Sequence, residues 1–248
     1  MSWLDLLWPA LAAGLLVTAT HAPLGIQVLA RGIVFIDLAV AQIAGLGVVL
    51  AQSLGYEAHG AVVQLWALGA ALAGALALGW TERRWPQVQE AIIGVAFIVA
   101  ANAAILLLAA NPRGAEHLQE LLAGQILWVS PATLPWAALA TAAILAAWFL
   151  LGAGGGRFRF YLIFACAVTL SVQLVGLYLV FATLIVPALA TLGLARGRLA
   201  ACYAIGALGY AGGLALSLAS DLPAGPLIVC AMTALGAAVF LASPRTRP

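Results

Sequence analysis

The sequence predicts an all-α fold, a polytopic bundle of about eight or nine membrane-spanning helices, and three observations carry that expectation. First, 65% of the 248 residues are hydrophobic and only 7% are charged, whereas a domain facing water carries roughly 25% charge. Second, the mean hydropathy is +1.13, and apolar runs of roughly 20 residues, enough to cross a bilayer as a helix, recur along the chain. Third, these runs are continuous and rich in Ala, Leu and Gly. They do not alternate as the strands of a membrane barrel do.

Charged breaks divide the runs into spans at about 6–27, 33–54, 60–80, 90–110 and 131–151, then about 199–219 and 225–243. Between them, 158–193 is one long apolar stretch, too long for one crossing and tight for two, with Gly176 and Pro187 as candidate breaks. The first run begins at once and carries Asp5 rather than a basic segment, so it reads as a retained span and not a cleaved signal. The run Gly152, Gly154, Gly155, Gly156 is a short loop rather than an interdomain linker, and 1–248 is expected to form a single transmembrane domain.

Arginine placement gives orientation. All ten basic residues are Arg. If 158–193 crosses twice, Arg31, Arg83, Arg84, Arg157, Arg159, Arg196, Arg198, Arg245 and Arg247 share one side, the cytoplasm by the positive-inside rule. The other side then carries Glu57, Glu116, Glu120 and Asp221, with Arg113 as the exception. The N-terminus is expected outside and the C-terminus inside. No basic patch suited to nucleic acid forms, and Cys166, Cys202 and Cys230 lie singly in apolar runs as small hydrophobes.

Function in such a chain is sought where polarity persists despite its cost, roughly 2.5–3.5 kcal/mol for an Asp at a helix centre. Asp37 in IVFIDLAVAQIAGLG is the clearest case, expected within the second span rather than at its end. Ala41 and Gly45 continue its face at i+4 and i+8, a stripe that lets another helix approach. Gln42 lies about 140° round the helix from Asp37. Glu90 opens the fourth span, where an acid also suits the helix dipole. Gln173 in TLSVQLVG reads as a buried helix–helix hydrogen bond. In the loop GAEHLQELLAGQILW, Glu116, His117 and Glu120 share one helix edge, and they suit zinc or manganese or simply solvent. His21 reads as near the cytoplasmic end of the first span, and His59 beside Glu57 reads as exposed. No GxSxG, HExxH or Walker A loop occurs, so the chain is expected to be a transport subunit rather than an enzyme. Any ATP hydrolysis would belong to another subunit.

Five segments in order resemble the permease subunits of zinc/manganese-type metal ABC importers. They are HAPLGIQVLARGIVFIDLAVAQIAGLG (21–47), EAIIGVAFIVAANAAILLLA (90–109), EHLQELLAGQILWVS (116–130), VTLSVQLVGLYLVFATLIVPALATL (168–192) and SDLPAGPLIVC (220–230). The resemblance implies a bacterial inner-membrane location, a homodimeric or pseudo-symmetric permease pair, a separate ABC ATPase and a periplasmic metal-binding protein that delivers the ion. It implies no resident cofactor, with zinc or manganese as cargo, and associates Asp37 with the ion path; Gln42, Glu90, Glu116, His117 and Glu120 are the further candidates along that path or at its mouth.

Two departures stand out. Many relatives carry a His four residues after the Asp, where this chain has Ala41, and Gln42 follows one place later. Members also usually carry a cytoplasmic helix after the fifth span that docks into the ATPase, where this chain has only LLGAGGGRFRF. Docking is therefore expected through TERRWPQ (81–87), with Arg83, Arg84 and Trp85 as the bulky cluster. The alternatives are an ATPase-independent carrier or channel, or a membrane scaffold that transports nothing.

Overall fold

Runs of Ala, Leu and Val without interior charge pair their backbone groups internally as helices, and helices dominate the described residues. The computed structural model describes residues 3–56, 60–108, 126–150 and 156–243. Its helices are α1 (Trp3–Arg31), α2 (Ile36–Ser53), α3 (Ala61–Arg84), α4 (Gln89–Leu108), α5 (Leu134–Leu150), α6 (Arg157–Val175), α7 (Leu177–Ala190), α8 (Arg198–Ser220) and α9 (Ala224–Ala242). Single 3-10 turns occupy Pro86–Val88 and Ile126–Trp128, and no strand occurs among the described residues. Seven helices are long and apolar enough to cross a membrane, and α5 and α7, with 17 and 14 residues, are shorter. Glu57, His59, Arg113, Glu116, His117, Glu120, Gly152, Gly154, Gly155, Arg245 and Arg247 lie outside the described residues.

The first turn of the chain sets where Asp37 sits. α1 ends in a Schellman motif: Gly32, at φ 67°, donates its N–H to the Leu29 carbonyl, and Ile33 donates to Val28. Ile33 and Val28 are both buried in the same core cluster, the hydrophobic contact that accompanies this motif. α1 therefore runs four residues past the expected end at 27, and α2 starts only at Ile36. Two expectations change as a result. Asp37 lies in the first turn of α2 rather than inside it, and His21 lies ten residues before the end of α1 rather than near it.

Pairings between helices fix their directions. Glu82 at the end of α3 bridges Arg31 at the end of α1 and Arg157 at the start of α6, at 3.7 and 3.3 Å. Phe35 just before α2 meets Glu90 at the start of α4, and Trp148 near the end of α5 meets Phe160 near the start of α6. α1 and α8 run antiparallel, with Gly206 on Thr18 and the Tyr203 hydroxyl on the Ala19 carbonyl. That carbonyl is the one left without its helical donor by Pro23, so Tyr203 repairs the ladder. α8 and α9 are antiparallel too, pairing Gly209 with Met232 and Gly213 with Ile228. Arg31, Arg83, Arg84, Arg157, Arg159, Arg196 and Arg198 consequently gather at one end of the bundle, here called the arginine end.

The long apolar stretch divides in two. α6 leaves the arginine end, while α7 runs antiparallel to α8, pairing Thr183 with Tyr210 and Thr191 with Cys202. α7 thus returns, and the reversal falls at Gly176, with Pro187 held inside α7. Gly176 has φ 86° and ψ 164°, a region only glycine occupies readily. Gly176→Ala is expected to destabilise the protein by about 1–3 kcal/mol. Thermal unfolding in detergent would show a clear drop, and an unchanged midpoint would remove strain at this turn from the account.

Two clusters of buried side chains result. One joins α2, α3 and α6 with the inner half of α1, through Val40, Ala71, Leu78, Phe160, Phe164 and Val168. The other joins the outer half of α1 with α7, α8 and α9, through Val17, Leu179, Tyr210, Ile228 and Met232. Lipid gives no hydrophobic drive to either, so close van der Waals packing of small and large residues holds them. On α2, it is Gly47, against Trp66 and Ala70 of α3, that permits the closest approach; Ala41 and Gly45 border open space instead.

Candidate functional site: an acid and a narrow cavity on α2

The site grows from one face of α2. Asp37, Ala41, Gly45 and Val48 recur at three- and four-residue steps and share that face. Asp37 is completely buried, and neither carboxylate oxygen has a side-chain partner among the described residues; the backbone N–H groups of Asp37 and Leu38 at the start of α2 lie beside it. Above it, Ala41, Ala44, Gly45, Val48 and Val49 line a narrow cavity of about 40 Å³ with Ala67 of α3 and Ala104 of α4. Thr169, Val172 and Gln173 of α6 and Leu177 of α7 close it. The volume admits a few waters at most. The cavity exists because small residues, Ala41, Gly45, Ala67 and Ala104, meet where larger ones would fill the space.

The predicted site residues separate into groups. Glu90 is beside Asp37: its Oε1 accepts the Phe35 N–H at 3.2 Å, two residues before Asp37, and its other oxygen is buried without a partner. Glu90 also lies in the first turn of α4, where its charge suits the helix dipole. Gln42 belongs instead to the cavity, across from Thr169 and Gln173. Gln173 is exposed on the bundle surface, which corrects its reading as a buried helix–helix hydrogen bond. Glu116, His117 and Glu120 lie outside the described residues. Among the described residues no three His, Cys, Asp or Glu side chains come together to hold a metal. A single chain thus offers two neighbouring carboxylates and a separate, mostly apolar cavity with Gln42, Thr169 and Gln173 on its wall.

Sequence reasoning missed His21. Its ring is fully buried, and Nδ1 contacts the Val17 carbonyl at 3.0 Å and the Thr20 hydroxyl at 2.9 Å. Nε2 has no partner. The sequence placed it near the end of the first span, and the longer α1 puts it well inside the helix. Thr169 Oγ1, likewise buried and unpartnered on the cavity wall, had no signal beyond being a hydroxyl in an apolar run. Of the cysteines, Cys202 is buried against Thr191 as a small core residue, whereas Cys230 is exposed.

With two neighbouring acids and a small cavity inside a helix bundle, the comparisons with known proteins decide the family. A model of the ABC 3 transport family matches residues 4–152 and 156–243. The chain belongs to that family. Among solved structures, PsaBC from Streptococcus pneumoniae in complex with a Fab superposes with a TM-score of 0.78 at 20% identity, covering 96% of this chain and 92% of that one. A metal-chelate type ABC transporter in an inward-facing conformation gives a TM-score of 0.62 at 16% identity, covering 94% and 85%. At these identities the likeness establishes the fold, a multi-pass helical bundle of the ABC permease type, and membership of the family makes the chain a transport subunit. No curated protein matches the chain.

Proposed function

We propose that this ABC 3 family chain is the membrane-spanning subunit of a divalent-metal importer of the zinc or manganese class, in the bacterial inner membrane. It would work as a pair of copies, with a separate ATPase at the arginine end and a metal-binding protein at the other. The observation that carries this reading is Asp37. A carboxylate buried in a membrane bundle with no side-chain partner among the described residues is costly, and such a residue is kept where a cation or proton passes. Glu90 adds a second acid beside it, and the passage bordered by Gln42, Thr169 and Gln173 continues along the same helix. Oxygen-rich groups without thiolates suit manganese as well as zinc. The description of one structurally similar chain as a metal-chelate type transporter supports a metal cargo. The test is growth: cells without their own zinc and manganese importers should recover on limiting metal when given this chain with its ATPase. Failure on both metals would reject the cargo.

Orientation follows the positive-inside rule. Reporter fusions after Arg84, Arg159 and Arg198 are expected to report cytoplasm, and Arg159 and Arg198 on opposite sides would contradict the return of α7.

The ATPase contact is assigned to 81–87. Only residues 151–156 separate α5 from α6, and Arg83, Arg84 and Trp85 are exposed at that end, Trp85 meeting Trp80 edge-on at 5.4 Å. Arg83→Ala/Trp85→Ala is expected to lose most of the ATPase that co-purifies with the wild type. Full retention would reject this docking surface. The same short connection favours a second reading, a carrier that needs no ATPase, and that reading gains if even the wild type captures none.

A further inference from the structure

Where α3 and α6 meet at the arginine end, Arg83, Gly156, Arg157, Phe158 and Arg159 line an open recess of about 500 Å³. Its charge is lopsided. Among the described residues Glu82 is the acid at this corner, and it is shared between Arg31 and Arg157. Arg83 lies over the Phe158 ring at 5.5 Å, which steadies its guanidinium at the rim. The recess is also continuous with a lipid-facing surface. Along α3, Leu65, Gly69, Ala73, Leu76 and Trp80 are exposed at helical spacing, while Val63, Ala67, Ala71, Ala75 and Leu78 face the bundle. That exposed apolar stripe ends at Trp80 and runs directly into Arg83 and Arg84. Trp80, half exposed, marks the level of the membrane interface, where amphipathic aromatic rings settle.

We propose that this recess is a headgroup site for an anionic phospholipid, with the acyl chains lying on the α3 stripe and the phosphate held by Arg83, Arg157 and Arg159. Arginine suits phosphate because its planar fork can donate two parallel hydrogen bonds to the oxygens. A zwitterionic choline headgroup brings its own cation to the same arginines and gains far less. A soluble acidic protein segment would match the charge but leave the apolar stripe unexplained, which is why a lipid is the better occupant. The inference does not depend on the cargo assigned above.

The test uses the purified chain alone, so neither metal nor ATPase enters it. The protein is equilibrated in vesicles of equal parts phosphatidylglycerol and phosphatidylcholine, and the lipids that stay bound in detergent are counted by native mass spectrometry. The wild type is expected to retain phosphatidylglycerol over phosphatidylcholine. Arg83→Gln/Arg159→Gln is expected to reduce that preference by about fivefold for each arginine, roughly 25-fold together. Arg196→Gln, which removes one charge at the same end but outside the recess, is expected to leave it intact. The proposal is overturned if the double variant keeps the wild-type preference, or if Arg196→Gln lowers it as much as Arg83→Gln alone, since diffuse charge then suffices. It is also overturned if excess inorganic phosphate strips the bound lipid, which would make this a site for free anions. Should the double variant not fold, Arg83→Gln alone carries the test with its fivefold loss. Quenching of wild-type tryptophan fluorescence by brominated phosphatidylglycerol, more than by the brominated choline lipid, supports the site, and equal quenching counts against it.

Discussion

Replacing Asp37 with Asn is expected to reduce metal uptake to the background of cells without the protein, while folded protein stays in the membrane. The reasoning rests on what Asp37 lacks. Its two oxygens are buried and have no side-chain partner among the described residues, so no side-chain partner is orphaned by the change. An uncompensated buried charge costs several kcal/mol, and an amide of the same shape costs less. Stability should therefore hold or rise, and only a role that needs the charge is lost. Uptake by the variant at the wild-type rate would remove Asp37 from the ion path. Disappearance of folded protein, measured by gel filtration in detergent, would show that Asp37 holds the bundle together.

Gly25→Leu is expected to abolish the folded state. The missing side chain of Gly25 lets α1 lie directly on α7: a Cβ there would run into the backbone carbonyl of Leu184 and crowd Ala188. A flexible side chain could move aside, but a helical carbonyl cannot. Overpacking by a few methylenes commonly costs about 1–3 kcal/mol, and a backbone collision of this kind belongs at or beyond the upper end. Gly25→Ala should lower the thermal midpoint as well, by less. Gly69→Ala serves as the contrast, because nothing lies within 4 Å of a Cβ added there. If both glycines tolerate substitution equally, the α1–α7 contact is not as close as described.

Much of the fold was legible because lipid leaves few options. The continuous apolar runs favoured helices over strands, the arginines segregated once 158–193 crosses twice, and the family segments fell in order. What escaped depends on single turns. The Schellman motif at Gly32 lengthened α1 and moved both Asp37 and His21 relative to the helix ends, and composition carries no trace of that. Gly176 and Pro187 were equal candidates for the break, and the structure chose glycine. A lone proline in a bilayer helix can be accommodated by neighbouring polar groups, as Tyr203 does for Pro23. The site was half legible. Asp37 and Glu90 were singled out as costly acids, but their adjacency needed the Phe35–Glu90 contact, which links residues 55 apart. Gln173 went astray because an apolar sequence does not say which helix face points outward.

The most direct test of the central claim is metal flux in a defined system. The wild-type chain and its ATPase are reconstituted in vesicles with the metal-binding protein outside the arginine end's opposite face, and radioactive zinc or manganese is followed across the membrane. The account predicts accumulation that requires ATP hydrolysis and is lost with Asp37→Asn. Accumulation that proceeds equally without ATP, or no metal movement at all with the three components present, would contradict it.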